Sequence, residues 1–189
     1  MSAGELIARI TIWLALSLYA IAEIGRLRWR AGVAESPSVA RWISTVGCAF
    51  YVVHVVFAFG VFHDWSHAEA YRFTAEQTEQ LVGWRWGGGL FVNHLFSAIW
   101  ITELVAWWTQ PQRYRDRSRW IDASVRVFFA FMIINGAVVF VAGPQRWLGV
   151  AIVVLLAVGW FVVKPVGRPE PSEVAVDDLL ADEQRSRPE

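Results

Sequence analysis

The sequence contains one cysteine, Cys48, so an internal disulfide framework is excluded. Charge is scarce as well: 18% of the residues are Asp, Glu, Lys or Arg, against about 25% in soluble domains. The 17 basic residues are cancelled by 17 acidic ones, which leaves no basic excess for nucleic acid, and no nucleic-acid partner is expected. A nucleotide-binding glycine motif, a serine-centred nucleophile elbow, a Cys-x-x-Cys pair and a His-Glu-x-x-His motif are all missing. No reaction class is therefore indicated by motif.

Apolar and aromatic residues fill the space. Of the 189 residues 56% are hydrophobic, 12 are Trp and 12 are Phe, and the mean hydropathy is +0.38. These values exclude disorder for most of the chain and fall outside the range of an ordinary soluble enzyme. A small polytopic membrane protein remains, with the lipid bilayer as its first partner.

Crossing about 30 Å of hydrocarbon takes roughly 20 helical residues. Five runs meet this requirement: Leu6 to Ile24, Trp42 to Phe62, Trp86 to Trp108, Ile121 to Ala142 and Trp147 to Val163. The fold class is thus an all-α, five-transmembrane-helix bundle over residues 1–164. It carries a short extracytoplasmic helical cap and, over 165–189, a disordered acidic cytoplasmic tail. Seven Trp (Trp42, Trp84, Trp86, Trp107, Trp108, Trp120 and Trp147) fall near span ends, where an amphipathic ring sits at headgroup level. Ala20-Ile21-Ala22 resembles a signal cleavage site, but cleavage there would send the following arginines across the membrane, so the first helix is expected to stay.

Orientation follows from the connections. The first carries Arg26, Arg28, Arg30 and Arg41, and the third Arg113, Arg115, Arg117 and Arg119. The second sets only Arg72 and Arg85 against Asp64, Glu69, Glu76 and Glu79. The positive-inside rule places the first and third in the cytoplasm, with the N-terminus outside and the C-terminus inside. The arginine-rich composition, with Lys164 the single lysine, points to a GC-rich bacterial genome and hence a bacterial inner membrane. After Val163, Pro165, Pro169 and Pro171 and the acids Glu173, Asp177, Asp178, Asp182 and Glu183 read as a solvated tail, or as a dock for another membrane subunit.

All four histidines lie between positions 54 and 94, in the second and third spans and their connection. His63 and His67 are spaced i, i+4, the spacing at which a helix presents two imidazoles to one ion, with Asp64 beside them. Two capping boxes, Ser66 with Glu69 and Thr74 with Gln77, predict short cap helices closed by Gly83. A helix break before His67 would undo the pairing. His54 and His94 lie at comparable depth, roughly 12–15 Å from the outer face, where they could be axial haem ligands or two ligands of a transition metal such as Fe, Cu or Zn. Asn93 and Asn135 fall at a similar level and could fix the ring tautomers. The competing role for each imidazole is a hydrogen bond to a carbonyl or hydroxyl inside the bundle.

Gly87-Gly88-Gly89, with Arg85 beside them, could cradle an anion or haem propionate at a helix start, or could allow close helix packing. Glu23, Glu103 and Arg126 lie one to two turns inside the cytoplasmic boundary. The simplest pairing joins Arg126 to Glu103 or Glu23, leaving one carboxylate that could relay a proton. Five spans, abundant Trp and this length resemble the tryptophan-rich sensory protein and translocator family, which binds porphyrins and sterols. No Trp-x-Pro-Pro type segment occurs in the connections, so no residue role is carried over. Three functions follow as expectations: a histidine-based metal or haem site on the extracytoplasmic side used in redox or oxygen chemistry, a non-enzymatic subunit or assembly factor, and a small hydrophobic-ligand-binding protein.

Overall fold

A computed structural model describes residues 2–163. The tail over 165–189 lies outside the described residues. Helices α1 (Ala3–Arg30), α2 (Ser38–His63), α3 (His67–Val82), α4 (Gly89–Thr109), α5 (Pro111–Asp116), α6 (Arg119–Ile134) and α7 (Gln145–Val162) account for nearly all of them, and no strand occurs among the described residues. A π-helical turn, Asn135–Val139, continues α6. Five helices are long and apolar enough to cross a membrane: α1, α2, α4, α6 with its π-turn, and α7.

The five pack as a closed ring. Neighbours in order are α1, α2, α4, α6 and α7, and α7 returns to α1. Apolar helices gain no hydrophobic drive from one another in lipid, so small residues that permit close approach decide the contacts. A Cβ on Gly47 would stand 3.1 Å from Leu18 Cβ, and one on Gly25 would stand 2.7 Å from Ala40 Cβ, which holds α1 tightly against α2. The ring is filled by Tyr19, Tyr51, Phe96, Trp100, Phe129 and Ile133. Tyr19 stacks on Phe129 at 4.9 Å and meets Trp100 edge-on at 5.3 Å, contacts worth about 0.5–1.5 kcal/mol each.

Helix ends depart from the apolar runs. α1 spans 28 residues, about 42 Å, and carries its helix past Ile24 through Arg26, Arg28 and Arg30. Trp107, expected at headgroup level, is only 2% exposed and stacks on Tyr114 at 5.5 Å. Trp42, Trp84, Trp120 and Trp147 do remain exposed near helix ends.

α2 stops at His63. Asp64 and Trp65 adopt positive φ values of 47° and 60°, reversing the chain so that α3 folds back over α2 and α4. The Trp65 ring lies so close to Gly60 that a Cβ there would be 2.8 Å away, so glycine is what admits this turn. Ser66 then caps α3 by accepting the Glu69 N–H, and Gly83 closes it at φ 73°. Thr74 does not start a second helix: α3 runs through it, and its hydroxyl donates to the Ala70 carbonyl.

Candidate functional site

The break at Asp64 places His63 and His67 on different helices, so the i, i+4 pairing does not form. His63 packs between Phe59 and Phe73 instead. His67, the first residue of α3, comes to His94 on α4, with ring centroids 5.8 Å apart and planes 40° apart. Nδ1 of His94 lies 2.7 Å from the Leu90 carbonyl, which can only accept, so Nδ1 donates there and Nε2 is the ring nitrogen left for another partner. His67 forms no hydrogen bond to any described residue and rests on Phe59 at 4.9 Å.

His54 faces elsewhere. Its Nδ1 lies 2.7 Å from the carbonyl of Ala8 on α1, which ties α2 to α1. His54 and His94 therefore each spend Nδ1 on a backbone carbonyl, in different neighbourhoods. Asn135 donates to Phe131 O one turn back, and Asn93 is exposed; neither bonds an imidazole. Asp64 is exposed in the turn. Among the described residues, no three His, Cys, Asp or Glu side chains gather in a way that could hold a metal ion.

The glycine run is occupied by protein. A Cβ on Gly87 would stand 2.5 Å from Tyr71 O, and one on Gly89 would stand 3.0 Å from Thr74 Cγ2. These glycines let α3 lie on the start of α4, as close helix packing requires. Arg85 reaches Glu79 at 3.4 Å and Glu76 at 3.5 Å on α3, all three exposed.

The opposite, arginine-rich end holds a buried ion network. Arg26 grips Glu23 through two hydrogen bonds of 2.6 and 2.7 Å and reaches Asp122 on α6 at 2.7 Å. Glu23, Arg26 and Asp122 are each 4% exposed. Asp122 also takes Arg117 at 2.8 Å, Arg30 at 3.4 Å and Arg126. Arg117 binds Glu103 on α4 at 2.5 Å, and Glu103 accepts a 2.9 Å bond from the Tyr114 hydroxyl of α5. Trp160 of α7 donates to Glu23 at 3.2 Å. Four ring helices and α5 thus meet in one polar knot of four guanidinium groups and three carboxylates.

This arrangement corrects the simpler pairing. Arg126 does approach Glu23, at 3.5 Å, but its closer partner is Asp122, and Arg117 takes Glu103. Glu23, Glu103 and Asp122 each have a guanidinium partner. Sequence reasoning passed over Asp122, and counted Arg26, Arg30 and Arg117 only as topogenic charges. The available signal was the spacing of Glu23 to Arg26 at i, i+3 and of Asp122 to Arg126 at i, i+4.

Around Tyr114 the rings and guanidiniums interleave. Arg117 lies over its ring at 4.3 Å, and Arg26 stands 5.9 Å from it. Burial pushes the Tyr114 phenol up to about 12, with Arg26 opposing, so it stays a neutral donor to Glu103. Between the knot and the aromatic core lies a cavity of about 30 Å³ whose wall includes Glu23, Glu103, Trp100 and Trp107. The indole N–H groups of both Trp have no hydrogen-bond partner among the described residues. A pocket of this size with several polar groups suits a bound water.

The chain matches no family model, no curated protein and no solved structure.

Proposed function

We propose that the chain is an integral membrane protein, with its arginine-rich end in the cytoplasm, that binds a transition-metal ion at the opposite surface between His67 and His94. One observation carries the reading: the approach of these two rings across the α3–α4 contact at 5.8 Å. Metal–nitrogen bonds of about 2.0–2.1 Å put two imidazole centroids on one ion roughly 5–6.5 Å apart. The His94 tautomer supports it too, because ligating imidazoles usually donate their other N–H to a carbonyl or carboxylate, here Leu90 O.

Imidazole suits Zn, Cu, Ni and Fe. Two protein ligands leave the remaining positions to water or an outside ligand, so binding or hand-over of the ion fits this pair better than a closed structural site. A haem between His54 and His94 is less favoured, because His54 is engaged with α1 and His94 lies beside α3.

Metal content after purification, followed by Zn²⁺ and Cu²⁺ titration in detergent, tests the reading. His67→Ala and His94→Ala should each lower affinity at least tenfold, while His54→Ala should leave it unchanged. Equal metal binding by the wild type and the His67→Ala/His94→Ala double variant would sink it.

A further inference from the structure

A second opening lies toward the cap end of the ring, away from the arginine knot. A groove of about 290 Å³ is lined by Arg9, Trp13 and Leu16 of α1, by Gly136 and Phe140 of the α6 end, and by Gln145 of α7. Among the described residues, no acidic side chain is in its wall. The π-turn shapes it. A π-turn bulges the helix by one residue, and such bulges recur at functional sites. A Cβ on Gly136 would meet nothing within 4 Å, whereas one on Gly149 would strike Ala137 O at 2.2 Å. Gly149 therefore seats α7 against the turn, and Gly136 leaves the space beside it open.

Arg9 is the unusual residue. It lies within the first candidate span and makes no hydrogen bond, ion pair or ring contact with any described residue. Glu5, one turn earlier on the same helix, is not within ion-pair distance. Arg9 is exposed and stands six residues, about 9 Å of helix, from the start of α1. A guanidinium with no counter-ion among the described residues, this close to a helix end, extends to headgroup level, where anionic groups are its natural partners.

We infer that the groove holds one anionic phospholipid, its phosphate on Arg9 and an acyl chain along Trp13, Leu16 and Phe140. The inference rests on the membrane reading above but not on the metal site. Charge complementarity selects the headgroup, because a guanidinium recognises phosphate by paired hydrogen bonds and no carboxylate competes in the wall. The apolar remainder selects a chain. A volume near 300 Å³ is at the lower end of small-molecule pockets, so it holds part of a lipid rather than all of it.

Native mass spectrometry of the full chain in neutral detergent, titrated with phosphatidylglycerol and with phosphatidylcholine of the same chains, tests this. The wild type should prefer phosphatidylglycerol by about fivefold, the size of one cation–anion contact at a membrane surface. Arg9→Gln should erase the preference and Arg9→Lys should keep most of it. Gly136→Leu, whose side chain enters open space, should block retention while unfolding is unchanged. An Arg9→Gln protein that retains phosphatidylglycerol like the wild type overturns the proposal. So does an unaffected Gly136→Leu protein, which would mean that Arg9 reaches only bulk headgroups, and so does displacement of the lipid by glycerol phosphate alone. Release of the chain from membranes by alkaline carbonate would overturn the membrane reading with it. Retention there without lipid preference overturns the groove assignment only.

Discussion

Replacing Asp122 by Asn tests whether the arginine knot closes the ring. Asp122 receives four guanidinium groups, those of Arg26, Arg30, Arg117 and Arg126, and is 4% exposed. The substitution keeps the shape and one acceptor oxygen but leaves four cations against Glu23 and Glu103. Breaking a buried ion pair by removing one partner costs about 3–5 kcal/mol in soluble proteins. Polar contacts within membranes average about 0.6 kcal/mol, so four of them set a floor near 2.5 kcal/mol. Asp122→Asn should therefore lower the free energy of unfolding by about 2.5–4 kcal/mol, read by titrating SDS into a mild-detergent solution of the folded protein and following circular dichroism and tryptophan emission. Arg126→Gln added to it restores the charge balance, so the double variant should lose less than the two single losses combined. A loss under about 1 kcal/mol for Asp122→Asn, or strict additivity with Arg126→Gln, would refute the knot as a stabilising unit.

Three further outcomes are expected. Tyr114→Phe removes the bond to Glu103 and should cost about 1 kcal/mol at neutral pH. Because the folded phenol pKa is raised above its unfolded value of about 10, Tyr114 contributes stability that is full below pH 10 and is lost as pH rises through about 12. The wild type minus Tyr114→Phe difference in absorbance at 295 nm should accordingly step near 12; a step at 10 would show the hydroxyl to be solvated. Gly87→Ala drives a methyl against Tyr71 O and should lift α3 from α4, raising protease cleavage within 67–82 and weakening any metal binding by His67 and His94 while the spans stay folded.

The spans were legible because about 20 consecutive apolar residues admit few other structures in lipid. Their ends were not, since an arginine continues a helix as readily as a leucine: α1 persists to Arg30 although its apolar run ends at Ile24. Gly87 and Gly88 had the opposite effect, delaying α4 until Gly89 despite the Trp before them. The cap helix was legible from Ser66, Glu69 and Gly83, each of which satisfies a specific backbone requirement. The pairing of His67 with His94 was not, because it depends on a chain reversal through two consecutive non-glycine residues at positive φ, which no pattern announces. Asp122 escaped for a related reason. It sits in the first turn of α6, where an acid ordinarily satisfies the helix dipole at the surface, and only the reach of Arg26 across the ring from α1 turns it into a buried hub.

The internal pairing of the knot also bears on the order in which its bonds can form. Glu23 and Arg26 are one turn apart on α1, and Asp122 and Arg126 are one turn apart on α6. On each helix an acid therefore already covers a base one turn away before the two helices have met. When the ring brings them within reach, Arg26 extends a further hydrogen bond to Asp122, and Arg117 draws in Glu103 from α4. The pairs within a helix are local, and the cross-helix bonds form only when the ring closes.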